Sequence, residues 1–179
     1  MKIIPTKFSK DDIETRVDWI NDESINRTMF FDLPALVDNT KKWFENNIGN
    51  KGRIDFTFKQ EDNSIVAMGG FTGISVEHKN AEFYVLVNPL LQGKGIGQHV
   101  SMWMYNYAFS VLNLHKIFLY TNDDNIAAYK IYEKAGFVLE GVLREHKWKN
   151  GVFQNRRLYG LLKSEWENVI WKKIIDDEI

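Results

Sequence analysis

The chain has 179 residues, 23 basic against 24 acidic, for a formal net charge of −1. That length fills one domain with a sizeable core, and the near-neutral balance excludes a general nucleic-acid binder, which needs a basic footprint. With no cysteine there are no disulfides, thiolate metal sites or cysteine nucleophiles.

Met1 leads into Lys2-Ile3-Ile4 without a signal-peptide core, and no apolar run reaches membrane-spanning length. A soluble cytoplasmic protein without a membrane partner is expected. Ile3 to Phe8 reads as a first strand. Ser9 caps a helix whose first turn carries Asp11 and Asp12, where carboxylates suit the dipole. Ile13, Val17 and Ile20 give it an apolar face, with Trp19 beside it. Asn26 to Leu36 is irregular, and a second helix is predicted from about Asp38 to Asn47 with Trp43 and Phe44 inward.

Ile54 to Lys59 alternates as a strand does. Glu61-Asp62-Asn63 is a turn, and Ile65 to Ser75 is a strand weakened or bent by Gly69, Gly70 and Gly73. Ala81 to Val87 completes a meander. A helical pattern comes next, through Val100, Trp103, Met104, Tyr107 and Val111, then a strand from Lys116 to Thr121. Asn125 caps a helix that Gly136 ends. Phe137 to Trp148 and Val152 to Leu162 form a hairpin about Asn150-Gly151, a type I′ signal that places Glu145 opposite Arg156. Ser164 to Ile175 is a closing helix, its Trp166 and Trp171 read as core; monomer and homodimer both stay open. The order fits a single α/β domain over residues 1–179, with one mixed sheet and helices on both faces.

The stretch with most chemical character is Asn88 to Gly97. Pro89 stops a strand, Gly93, Gly95 and Gly97 make a turn, and a helix begins. Bare N–H groups beside a helix N-terminus can bind phosphate, and glycine keeps side chains clear and permits positive φ. Lys94 is followed by Gly95, not by Ser or Thr, so this is no Walker loop, and the glycine spacing is not the dinucleotide fingerprint. A purely structural turn remains the competing reading. The second stretch is Asn122 to Phe137, with Asn125 at a helix start and Tyr132 two turns along. Taken singly, these are a plain cap and a half-buried core tyrosine.

Together the two stretches resemble the GNAT superfamily of N-acetyltransferases. Gln92-Gly93-Lys94-Gly95-Ile96-Gly97 matches its Q/R-x-x-G-x-G/A pyrophosphate loop. Asn125, the run Tyr132-Glu133-Lys134-Ala135-Gly136-Phe137 and the last hairpin match as well, so the likeness is specific from about Ala81 to Glu165. It implies a GNAT fold of about seven mostly antiparallel strands, splayed at the acetyl-CoA site. It also implies acetyl-CoA as co-substrate. Backbone N–H groups from Gln92 through Gly93, Lys94, Gly95, Ile96 and Gly97 would hold the pyrophosphate, Leu86 and Val87 would pair with the pantetheine arm, and Asn125 would hydrogen-bond that arm.

Tyr132 would face the thioester sulfur, and a phenol of pKa ~10 can protonate a leaving thiolate. A strand-end N–H can serve the tetrahedral oxyanion. With no cysteine and no G-x-S-x-G elbow, direct attack in a ternary complex is preferred to an acyl-enzyme. The incoming ammonium needs a base. Glu82 is the first candidate, directly or through a water, against a reading as a solvated strand residue. His78 is second, though more simply a turn histidine. His115 reads as structural, His99 as an exposed helix residue, and His146 lies in the last hairpin. The four histidines show no metal-ligand spacing, and no metal is expected.

The acceptor of this family is usually walled by the segment between the first two helices and by the last hairpin. Here those are Asn26 to Leu36 and Glu145 to Gln154, and the first carries Arg27, Met29, Phe30 and Phe31 with one acid, Asp32. A polyamine site should be rich in carboxylates. Aromatics with arginine suit a nucleotide-linked amino sugar better, through stacking and diphosphate pairing. That small-molecule amine is the expected acceptor. A ribosomal-protein N-terminus and a polyamine are the alternatives, the C-terminal half being similar to spermidine acetyltransferases. Phe30 and Phe31 would otherwise plug the core. A non-catalytic acyl-CoA-binding module is the rival of another class, and the joint presence of Tyr132 and Asn125 argues against it.

Overall fold

The structure, a computed structural model, describes residues 2–167. Its strands are β1 (Ile4–Lys7), β2 (Arg53–Lys59), β3 (Ile65–Ser75), β4 (Asn80–Val87), β5 (Lys116–Asn122), β6 (Val138–Lys149) and β7 (Val152–Leu162). Its helices are α1 (Ile13–Asn21), α2 (Glu23–Asn26), α3 (Val37–Asn46), α4 (Ile96–Asn106), α5 (Ile126–Lys134) and α6 (Lys163–Glu167). The strands form one seven-stranded sheet in the order β1-β2-β3-β4-β5-β7-β6. Only β4 with β5 is described as a parallel pair, from Asn80↔Lys116 to Glu82↔Phe118; β4 continues to Val87 and β5 to Asn122. The chain packs as two compact units, residues 2–73 with 84–100, and residues 74–83 with 101–167.

In the first unit, Ile13, Arg16, Val17 and Ile20 make the buried stripe of α1. A 3-10 turn at Lys10–Asp12 leads into that helix, and the Ser9 N–H donates to Asp12 Oδ2 at 2.9 Å, fixing its start. A short helix not anticipated from the pattern, α2, comes at once after α1. Asp22 caps it by accepting the Ser24 N–H at 2.9 Å. The core gathers Phe8, Ile13, Val17, Trp19, Ile25, Met68 and Leu86, with Trp43 and Phe44 packed against it as expected. At Gly70 a Cβ would collide with Ile54 O and press on Tyr84 and Asp55. Glycine there lets three strands close up where Tyr84 meets Asp55.

In the second unit, Tyr105 is the hub. Phe83, Phe137 and Trp166 meet its ring edge-on, with centroids 5.1, 5.2 and 5.6 Å away. Trp166 is core, as anticipated, whereas Trp171 lies outside the described residues, as does the rest of the predicted closing helix.

Two expectations about local geometry fail in this unit. The apolar pattern predicts regular helix as far as Val111, but α4 runs into a π turn at Tyr107–Val111, where the Leu112 N–H donates to Tyr107 O. The extra residue rotates the remainder of the turn by about 100°, so Ala108 and Phe109 are buried and Val111 is 62% exposed. The second failure is in the last hairpin. Its turn has Asn150 at φ 52 and Gly151 at φ 81, as a type I′ turn needs. Lys149, Trp148 and Lys147 pair with Val152, Phe153 and Gln154, but the next described pair is Leu143↔Arg156. Arg144, Glu145 and His146 therefore stand against Asn155 alone. This bulge removes Glu145 from the place opposite Arg156, and its N–H donates instead to Asn155 Oδ1 at 2.9 Å.

Candidate active site

In the first unit, β4 reaches Val87, and Asn88 caps a short 3-10 turn at Pro89–Leu91 by accepting the Leu90 N–H. Gly93 and Gly95 then adopt φ 76 and φ 79, and a Cβ on either would meet open space. Their glycine character answers to backbone shape. Gly97 differs: its φ is not positive, and a Cβ there would lie 3.1 Å from Val87 Cγ2. It is glycine for close approach of helix to strand. The His99 N–H donates to Gly95 O, the first α-type bond of α4. N–H groups before it have no intrahelical partner, which is the cradle an anionic pyrophosphate fits. Gln92 and Lys94 are exposed, and the Gln92 Nε2 donates to Ser24 Oγ at 3.2 Å, tying the turn to α2. Ile96 and the Leu86 side chain are buried, while Val87 is half-buried.

In the second unit, Asn125 Oδ1 accepts the Ala128 N–H at 3.3 Å, so it is the cap of α5. Gly136, at φ 93, closes that helix, and the Phe137 N–H returns to Tyr132 O. Tyr159 donates to Glu133 Oε1 at 2.7 Å and pins α5 to β7. Tyr132 is half-buried, its ring 5.8 Å from Phe137. Burial pushes its phenol up to about 12. Burial also pushes Tyr105 well above the ordinary phenol value, and the neighbouring Tyr132 adds to it. Glu82, half-buried on β4, acts on the Arg156 guanidinium, which burial pushes down while Glu82 and Tyr120 push it up. Arg156 also lies over the Tyr120 ring at 4.6 Å. Glu82 is thus no simple solvated strand residue.

The histidines stay at the margins. His78 is exposed in a turn with its N–H on Ser75 Oγ, and His99 is an exposed helix residue. The His115 N–H donates to Lys79 O at 2.7 Å and its carbonyl accepts from Lys163, a structural tie. His146 is exposed, 6.0 Å from the Tyr120 ring. Among the described residues no group of three or more His, Cys, Asp or Glu is placed to hold a metal ion.

Of the expected acceptor wall, Arg27 is exposed, and Met29 and Phe31 pack against the core of the first unit, with Phe30 half-buried. The carboxylates that this segment lacks are found elsewhere. In the second unit Asp123, Asp124, Glu145, Phe153, Gln154 and Asn155 line a cavity of about 430 Å³. Arg157 Nε bonds Asp123 Oδ1 at 2.6 Å. Asp124 and Glu145 form no ion pair within 4 Å among the described residues, although Asp124 is felt by Lys149. The Asp123-Asp124 pair at the end of β5 escapes notice in the sequence because it looks like part of a turn before a helix. Glu145 falls in the hairpin segment expected to wall the acceptor, but a regular hairpin register hands its carboxylate to Arg156.

Residues 3–138 match the family described as acetyltransferase (GNAT) domain. The chain belongs to the GNAT family. It is an N-acetyltransferase, and with the family comes acetyl-CoA as co-substrate. It is 28% identical over 148 residues to the spermidine N(1)-acetyltransferase of Vibrio cholerae, covering 83% of this chain and 86% of that one. It is also 28% identical over 106 residues to the putative ribosomal N-acetyltransferase YdaF of Bacillus subtilis, covering 59% and 58%. Its fold follows the crystal structure of the Vibrio cholerae spermidine N-acetyltransferase in complex with CoA and spermine. The TM-score is 0.89 at 26% identity, over 93% of this chain and 98% of that one. The nucleotide-linked amino sugar expected as acceptor finds no support among these relatives, which favour the polyamine alternative. That expectation weighed the acids of Asn26 to Leu36 alone, where Asp32 is the single carboxylate. No helix among the described residues is long and apolar enough to cross a membrane.

Proposed function

We propose that this GNAT acetyltransferase, acting over residues 1–179 as one catalytic domain, moves the acetyl group of acetyl-CoA to a primary amine of a linear polyamine. The observation that carries the acceptor is the acid-lined cavity of Asp123, Asp124 and Glu145 with Phe153 on its wall. A polyamine offers ammonium groups to such carboxylates and methylene runs to such a ring. The kinship with a spermidine acetyltransferase points the same way.

Acetyl-CoA supplies a thioester carbonyl open to attack by a neutral amine. In this reading Glu82, directly or through a water, takes the ammonium proton and frees the nitrogen lone pair. The C–N bond forms, the carbonyl oxygen takes negative charge beside strand-end N–H groups at Leu86 and Val87, and the C–S bond then breaks. Tyr132, its phenol held protonated by burial, passes a proton to the departing sulfur and is reprotonated by the proton that the nitrogen sheds as the amide forms. The main chain of Gln92 to Gly97 grips the pyrophosphate, and Asn125, while capping α5, presents its amide to the pantetheine arm.

CoA release measured with spermidine, spermine, an N-terminal peptide and a UDP-linked amino sugar tests the acceptor. Turnover is expected with the polyamines, with KM rising as salt screens the carboxylates. Robust turnover of the peptide or the amino sugar, with none for the polyamines, would discard this acceptor.

A further inference from the structure

The first unit holds a second cavity with the opposite chemistry. Arg16 stands on the buried stripe of α1 and is 5% exposed. Its guanidinium carbon lies 4.8 Å from the Trp43 ring centroid, 5.6 Å from Phe8, 5.7 Å from Tyr84 and 6.0 Å from Phe31. One of its terminal nitrogens is buried with no hydrogen-bond partner among the described residues. Arg53 shares two of those rings, at 4.7 Å from Trp43 and 5.7 Å from Tyr84.

Two of the carboxylates nearby, Asp55 and Asp12, are committed elsewhere. Asp55 takes Arg53 in a fork of 2.7 and 2.9 Å and also accepts the Tyr84 hydroxyl. Asp12, one turn back on Arg16's own stripe, takes Lys59 at 2.9 Å, the Ser9 N–H and the Thr57 hydroxyl. Two cations and one carboxylate therefore surround Trp43, and the uncompensated one is Arg16. Ring faces attract a guanidinium but do not supply the in-plane acceptor that its fork needs. A buried cation lacking a partner is costly.

Arg16 lines a cavity of about 330 Å³, together with Ile20, Phe31, Leu36, Trp43 and Arg53. We propose that this cavity binds a small organic monocarboxylate, with the carboxylate on Arg16 and an apolar body between Ile20, Phe31, Leu36 and Trp43. Asp32 also lines the cavity, and it is exposed at the rim. It disfavours a dianion such as phosphate. The cavity is built from residues of the first unit alone.

Benzoate, benzamide and inorganic phosphate are titrated against the full chain, with calorimetry and the Trp43 indole N–H resonance as readouts. Benzoate is expected to bind at about millimolar concentration and to shift the Trp43 signal. Benzamide, of the same shape without charge, binds at least about tenfold more weakly, and phosphate gives no shift. Arg16→Met, which keeps volume and removes charge, lowers benzoate affinity at least about tenfold. Equal binding of benzamide and benzoate, tighter binding of phosphate, or no saturable benzoate shift overturns the proposal on wild-type protein alone. Undiminished benzoate affinity in Arg16→Met overturns it as well.

Discussion

The first unit encloses a few of its charges, whereas the second sets a group of carboxylates around an open cavity. Asp12, Arg16 and Arg53 of the first are enclosed or nearly so and are held by rings, hydroxyls and each other. Asp124 and Glu145 of the second are exposed on an open cavity, and Asp123 beside them is half-buried. A buried charge is costly to leave without its partner, so it acts on stability. A surface carboxylate is cheap to alter and acts on what binds. The same residue types thus perform two kinds of work, and burial separates them.

The sharpest way to test that division is within the second unit, at the phenol of Tyr132. Tyr132→Phe removes a hydroxyl and little volume. It is expected to lower kcat by roughly 100-fold while acetyl-CoA affinity in calorimetry changes little. Wild-type turnover would strip the phenol of its role. Next in size is Asp12→Asn in the first unit. Burial raises the Asp12 carboxyl, but the Lys59 ammonium, the Ser9 N–H and the Thr57 hydroxyl outweigh it and hold the group below the usual carboxylate value. Its contribution is therefore present above the ordinary carboxylate range and is lost on acidification. The variant should lose about 2 kcal/mol in urea unfolding at pH 7, since Lys59 retains some water contact. A change within error would mean that the enclosed pair contributes nothing.

Asp124→Asn with Glu145→Gln should then do the reverse. Stability should hold to within about 0.5 kcal/mol, and KM for spermidine should rise about tenfold at unchanged kcat. An unaltered KM would remove the cavity from acceptor binding. The smallest effect concerns alkali. The folded chain holds the Tyr132 proton more tightly, with a pKa of about 12, than the unfolded chain, where phenols titrate at ~10. Its contribution is intact below about pH 10 and declines as pH climbs towards 12. Accordingly kcat should show no tyrosine limb between about pH 7 and 9, and such a limb would contradict the burial of that phenol.

Much of this is legible in local patterns. Asn150-Gly151 announces its hairpin, and the run from Gln92 to Gly97 announces its turn, because backbone shape there is written in glycine. The features that escape are decided by distant partners. The three-residue bulge arises where β6 must follow β7, itself paired to β5 over seven residues from Lys116 to Asn122. Nothing between Arg144 and His146 declares it. The π turn adds a residue to a pattern that continues plausibly without it. Arg16 is visible as an arginine on an apolar stripe, Ile13-x-x-Arg16-Val17-x-x-Ile20, yet it draws no notice because long cations usually snorkel outward. The acid-lined cavity is not visible in the sequence because its acids come from segments far apart in the chain, Asp123-Asp124 and Glu145.

The bulge has one more consequence. In the sheet order β6 is the last strand, and Val138, Leu139, Val142 and Trp148 are exposed along it. A straight strand of that composition would offer its free ladder to any other chain, a start for clumping at high expression. Three residues bunched against one, with Glu145 at φ 50, break the ladder midway and twist what is left. Shortening the bulge to restore a regular edge is expected to raise aggregation on concentration, read by light scattering.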